Sequence, residues 1–317
     1  VFTIAVTNQK GGVGKTTTVA NLGQAVAQAG CEVCLLDLDP QSHLTLHFGI
    51  EPGSTPSSIY DVLTDDADLA STCVEIAERL VLVPSEIDLA AAEVELAATV
   101  AREQILRDAL REAALRSQLV LIDCPPSLGL LTLNALVAAD ELFIPLQPHF
   151  LALQGLGKLL ETVRLVKRRV NPVLRVAGVV LCMYETGTRL AAEVVADLRA
   201  FFEAARGTDC PWDRTRIFSS VIRRNIKLAE CPSHGRTIFQ YAPSSRGAAD
   251  YSALAAEFVQ CYPDLFPAPP RPEPPAGYNP AQAPPIVPIS PPAPLVLYDP
   301  AQAPLVVPIL PQGRAQP

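Results

Sequence analysis

The sequence lacks the features that would tie it to a membrane. No apolar run reaches the roughly 18 residues a spanning helix needs. Its beginning carries no signal-peptide charge pattern, so a cytoplasmic protein is expected. It also lacks a basic surplus. Asp and Glu number 33 against 25 Lys and Arg, and the formal net charge is -8. That balance argues against coating nucleic acid over the whole surface, though one basic patch is compatible with it. Metal-binding pairs of cysteine are missing too. Eight cysteines are scattered through the chain, and several sit in apolar runs, as reduced core thiols do. Cys31-Glu-Val-Cys34 leads straight into a strand, and no second Cys/His pair follows at zinc spacing. Both cysteines are therefore read as structural.

At 317 residues with 49% hydrophobic content, the chain can bury a large core. The apolar run Phe2–Thr7 reads as a buried strand, and Thr18–Gly30 as a helix closed by glycine. Between them lies Lys10-Gly11-Gly12-Val13-Gly14-Lys15-Thr16-Thr17. Strand, glycine-rich turn and helix are the context of a phosphate-binding loop. Glycines let successive N–H groups turn inward on an anion, and the helix N-terminus adds partial positive charge. Lys15 is placed to reach the β- and γ-phosphates of ATP, and the Thr16 hydroxyl to ligate Mg²⁺.

Two further apolar strands end in carboxylates. Val33–Leu36 runs into Asp37-Leu38-Asp39-Pro40-Gln41, and Leu119–Ile122 into Asp123-Cys124-Pro125-Pro126. In a parallel sheet, functional residues collect at the carboxyl ends of strands. Asp123 fits a Walker B carboxylate emerging beside Mg²⁺. Asp37 and Asp39 are two residues apart, so they point to opposite sides of an extended chain. Further strands are expected at 80–83, 141–146 and 176–183, and helices at 57–63, 88–100, 102–116, 151–169, 190–205 and 248–262. This alternation predicts an α/β fold: a mostly parallel, doubly wound sheet with helices on both faces, of the P-loop NTPase kind.

Residues 206–246 depart from the acidic balance. They hold eight basic residues against three acidic ones, a local surplus of five, and this is the electrostatic footprint of a polyanion site or of a solvated basic rim. His234, in a Pro-Ser-His-Gly turn with no visible general-base partner, is read as structural. From Pro267 the composition changes again. Eighteen of the 31 prolines follow, and Tyr278–Ile289 returns nearly unchanged as Tyr298–Ile309. Proline at that density predicts an extended or disordered tail. The division expected is an ATPase domain over 1–265 and a proline-rich tail over 266–317.

With its extra Lys10, the loop resembles the deviant Walker A signature of the ParA/MinD ATPases, a SIMIBI-like P-loop family. Asp-x-Asp-Pro-Gln, Asp-Cys-Pro-Pro-Ser-Leu-Gly and Arg224-Asn225 match it in order, most closely the chromosomal ParA (Soj-type) proteins. The resemblance covers about residues 1–262. It implies that Lys10 crosses a dimer interface to the partner's phosphates, that Asp39 orients the attacking water, and that Asp37 supports the metal shell. Catalytic roles then fall to Asp39, Lys15 and Lys10, with Mg²⁺ held by Thr16, Asp37 and Asp123. Nucleotide contacts fall to residues 10–17, among them Val13 and Thr17, and to Asn225 at the base. Arg223, Arg224, Lys227 and Arg189 are the DNA-contact candidates. Arg223 stands where the family usually has proline, and Arg189 aligns less cleanly. The implied function is a slow, Mg²⁺-dependent ATPase that dimerises on ATP, binds DNA without sequence preference, and is stimulated by a ParB-like partner in chromosome or plasmid segregation. The protein would be nucleoid-associated. The same chemistry could position another cargo on the nucleoid. A MinD-like membrane regulator is disfavoured because no basic amphipathic helix stands at the C-terminus. An iron–sulfur reductase is disfavoured because Cys124 has no companion. The chain opens directly on its first strand, so no operator-binding extension is expected.

Overall fold

The computed structural model describes residues 1–149 and 152–266. Apart from Phe266, the proline-rich tail lies outside them. Nine strands form the sheet among the described residues: β1 (Phe2–Val6), β2 (Val33–Asp37), β3 (Val74–Ala77), β4 (Leu80–Val83), β5 (Leu119–Asp123), β6 (Glu141–Leu146), β7 (Arg175–Tyr184), β8 (Arg216–Ile217) and β9 (Ile222–Arg223). Their order is β3-β4-β2-β5-β1-β6-β7-β8, with β9 also on β7. Every pairing is parallel except that of β3 with β4.

Parallel strands covered on both faces should be apolar throughout, and β2 and β5 are buried at every position. Alternate residues serve opposite layers. Cys34 and Leu36, with Val120 and Ile122, pack on one side against the helices Leu130–Ala138 and Ala152–Arg169. Leu35, Leu119 and Leu121 pack on the other, with Val19, Leu22 and Val26 of the helix Lys15–Gln28 and Tyr251, Leu254 and Phe258 of the helix Arg246–Cys261. Cys31 and Cys34 are buried in these two layers. The doubly wound α/β architecture is therefore as expected.

The boundaries differ in instructive places. The first helix begins at Lys15, not Thr18, because Gly14 takes a left-handed φ of 95° and turns the chain into the helix at once. The helix expected over 88–100 is shorter, Leu89–Glu95 followed by a 3₁₀ turn at Leu96–Ala98. The next runs only Ile105–Glu112. Its start is fixed from outside: Asn134 accepts from the Leu106 N–H at 3.1 Å and donates to the Arg102 carbonyl at 2.9 Å. Strand β3 had no sequence signal, being half-exposed and interrupted at Glu75/Ala77 by an irregularity. Among the described residues no helix is long and apolar enough to cross a membrane.

Candidate nucleotide site

The glycine-rich loop joins the carboxyl end of β1 to the helix Lys15–Gln28, beside the carboxyl ends of β5 and β6. Gly12 (φ 70°) and Gly14 (φ 95°) adopt the left-handed conformation that favours glycine. A Cβ at Gly12 would meet nothing, so backbone shape, not space, demands glycine there. Asn8 anchors the loop: its amide donates to the Pro145 carbonyl at 2.8 Å, and its Oδ1 accepts from the Lys10 N–H at 3.1 Å. The helix N-terminus behind the loop bears no acidic residue in its first turn, and its free N–H groups suit an anion. Lys15 is buried there, 7% exposed. Lys10 is exposed, and its Nζ meets Nε2 of His149.

The carboxylates lie at the same end of the sheet. Asp37 and Asp123 are direct register partners on β2 and β5. Asp37 Oδ2 accepts from the Thr45 N–H at 2.8 Å and its hydroxyl at 2.7 Å, and Oδ1 from the Asp39 N–H at 3.2 Å. Burial nevertheless pushes the Asp37 carboxyl up to about 7, against those hydrogen bonds. Asp123 is fully buried, and neither of its oxygens has a hydrogen-bond partner among the described residues. Burial, then the neighbouring Asp37, drive its carboxyl well above the usual range, with Thr16 and Lys15 offsetting only part. Asp39 lies close by, near enough for its charge to raise both carboxyls. Its Oδ1 accepts from the Gln41 N–H at 3.0 Å, and its carbonyl from the Ser85 hydroxyl at 2.9 Å.

An orphaned buried carboxylate next to a second one, with a hydroxyl and a lysine beside them, is an arrangement completed by a hard cation. Thr16, Asp37 and Asp123 therefore fit Mg²⁺. Among the described residues no group of three His, Cys, Asp or Glu side chains could cage a metal alone. Mg²⁺ does not require one, since it keeps waters and takes phosphate oxygens.

A cavity of about 260 Å³ opens directly off the loop. Gly14 and Thr17 of the loop line it together with Cys182 and Met183 near the end of β7, Asn225 and Tyr251. Asn225 lines the same cavity as Gly14 and Thr17, more than 200 residues away in the chain. Its Oδ1 accepts from the Lys227 N–H at 2.9 Å and caps the helix Ile226–Glu230. Cys182, Met183, Tyr251, Thr45 and Ser85 were not singled out in the sequence. Thr45 and Ser85 act through tertiary contacts, for which a single sequence offers no local signal.

The basic residues gather partly. Arg223 and Arg224 line the cavity rim, and Lys227 follows on the short helix. Arg224 pairs with Glu185 at 3.1 Å and Lys227 with Glu230 at 2.8 Å, both half exposed. Arg189, 92% exposed, pairs with Glu193 at 2.8 Å one turn along its own helix. Arg223 turns to Asp250. His234 stacks on Tyr241, centroids 4.6 Å apart.

Known proteins resemble the chain over this whole region. A family profile described as "AAA domain" matches residues 1–176. The sporulation initiation inhibitor protein Soj of Bacillus subtilis is 45% identical over 255 residues, covering 80% of this chain and 96% of Soj. The chromosome partitioning protein ParA of Myxococcus xanthus is 41% identical over 258 residues, covering 81% and 87%. Among solved structures, cobyrinic acid a,c-diamide synthase from Mycobacterium smegmatis, with bound ADP and magnesium, superposes with a TM-score of 0.69 at 35% identity, covering 83% of this chain and 96% of that one. With its loop, its paired carboxylates and its relatives in agreement, the chain belongs to the ParA/Soj family of ParA/MinD-type P-loop ATPases.

Proposed function

We propose that the protein is an ATP-driven switch for chromosome or plasmid partitioning. ATP lies with its phosphates in the loop of residues 10–17 and its base in the cavity against Asn225. The observation that carries this reading is the continuity of that cavity with Gly14 and Thr17 of the loop, whose Lys15 and Thr16 stand beside the buried Asp123 carboxyl. Thr16, Asp37 and Asp123 hold Mg²⁺, which when bound neutralises charge on the β- and γ-phosphate oxygens. Asp39 orients the attacking water for in-line displacement, and Lys15 stabilises the charge that develops. Lys10, exposed at the loop's edge, reaches the phosphates of a second subunit, so ATP favours the dimer.

The dimer presents two basic rims, formed by Arg224 and Lys227 with Arg189 as an outlying member. Their carboxylate partners are exposed, and such pairs are weak enough to open to phosphate. Two weak patches on one rigid body gain avidity over one, so DNA binding without sequence preference becomes conditional on ATP. Similarity to Soj and ParA supports a ParB-like activator, a slow basal rate and a place on the nucleoid. Calorimetric titration with ATP and Mg²⁺ tests the site. Lys15→Ala should abolish binding, and Asp39→Ala should keep it while losing about 10²-fold or more of turnover. Retained affinity in Lys15→Ala would remove the loop assignment.

A further inference from the structure

The family resemblance implies proline at position 223, where this chain has arginine, and the surroundings of Arg223 show what an arginine supplies there. Proline offers neither an N–H nor a charge. Arg223 uses both. Its backbone N–H donates to Asp250 Oδ2 at 3.0 Å. Its Nε lies 3.1 Å from Oδ1 and 3.2 Å from Oδ2, and its terminal nitrogen also meets Oδ1. Asp250 is 6% exposed on the closing helix, and among the described residues the hydrogen bonds that its carboxylate accepts come from Arg223. A buried carboxylate held by a fork of charge-assisted bonds is a different object from the exposed pairs of Arg224 and Lys227.

We propose that Arg223 and Asp250 form a positioning clamp for the nucleotide base, distinct from the DNA-contacting face. This rests on reading the cavity beside Gly14 as the base site. Ile222, Arg224 and Asn225, flanking the clamped residue, line one wall of that cavity. Asp250 is followed by Tyr251, which also lines that cavity and places its hydroxyl 3.3 Å from that of Thr18 in the loop helix. The clamp thus joins the base wall to the helix that braces the phosphate loop. Its other attachment to the sheet is slight, since β9 has two residues, paired with Cys182 and Tyr184. With so short a pairing, the position of the wall depends on its contacts with the closing helix, from Ser219 and Ser220 to Glu257 and from Arg223 to Asp250, and the second of these fixes the residues beside the base before it binds. The same bonds occupy the guanidinium, so Arg223 does not serve DNA as its neighbours do.

The test compares two ligands on the full chain: the non-hydrolysable analogue AMPPNP with Mg²⁺, and inorganic tripolyphosphate, which has no base. In Arg223→Ala and in Asp250→Ala, the Kd for AMPPNP should rise about tenfold, the size expected for a lost charge-assisted bond of about 1.4 kcal/mol. The double variant should be no worse than either single one, because the two residues act as one unit. Tripolyphosphate affinity should stay within about twofold of wild type, and so should DNA affinity at saturating AMPPNP. Where an alanine variant does not fold, Arg223→Lys and Asp250→Asn are measured in the same way. An unchanged AMPPNP Kd, an equal loss for tripolyphosphate, or a loss of DNA affinity alone would each overturn the clamp. A wild-type protein that binds tripolyphosphate but gains nothing from the base would overturn the cavity reading itself.

Discussion

His47 shows how one side chain can set the acid limit of the fold. It is completely buried. Burial lowers its pKa from 6.5 to about 4, with the Arg236 backbone opposing only part of the shift. Below pH 6.5 the unfolded chain takes up a proton that the folded chain refuses until about pH 4. The stability this residue contributes is therefore present above 6.5 and is lost as pH falls through about 4. The loss is on the order of 3 kcal/mol. Urea unfolding at pH 7.5 and pH 5 should show a smaller drop in His47→Gln than in wild type; an identical drop would place the acid sensitivity elsewhere. Nothing near His47 in the sequence announces this role. The carboxylates were legible because each ends an apolar strand: Asp123 after Leu119–Ile122, and Asp37 after Val33–Leu36. What was not legible is that Thr45 donates twice to Asp37, whereas among the described residues neither Asp123 oxygen has a partner within hydrogen-bond distance. That asymmetry, which points to a cation, arises from a helix packing back on the strand end.

Among elements, the segment from β9 to the closing helix lines the cavity beside the loop, and a contact between two glycines fixes its middle. The turn at Gly235 (φ 59°) lies against Gly49, and a Cβ on Gly235 would sit 2.9 Å from the Gly49 Cα and 3.1 Å from its nitrogen. Those are backbone atoms, which cannot rotate away as a side chain does. Gly235→Ala should thus cost about 1–3 kcal/mol in urea unfolding, from steric overlap together with the left-handed φ. A change below about 0.5 kcal/mol would mean that the two turns separate freely. The Pro-Ser-His-Gly turn was legible as a turn, but not its partner at Gly49, nearly 190 residues away. Elements with a strong local period, such as β1, β2, β5 and the helix Arg246–Cys261, were readable within a few residues. Those whose ends are set by a distant group were not, and the helix started by Asn134 is the clearest case.

For the whole molecule, the sequence showed an acidic chain with one basic stretch, and the structure shows how much of that stretch is already engaged. Arg206, Arg214, Arg223 and Lys227 each face a carboxylate, and Arg224 reaches out to Glu185. Local charge counting therefore overstates the free positive surface, and a single subunit should bind DNA weakly. The account requires ATP to make the difference by bringing two rims together. The direct measurement is a titration of fluorescent duplex DNA with the full chain, with ATP, with ADP and without nucleotide, each at 50 and 200 mM salt. Tight binding should appear only with ATP. It should weaken by more than tenfold at the higher salt, as several released counterions demand. Arg224→Glu should abolish it while ATP-dependent dimerisation persists. DNA affinity that is the same with ATP, with ADP and without nucleotide would contradict the switch.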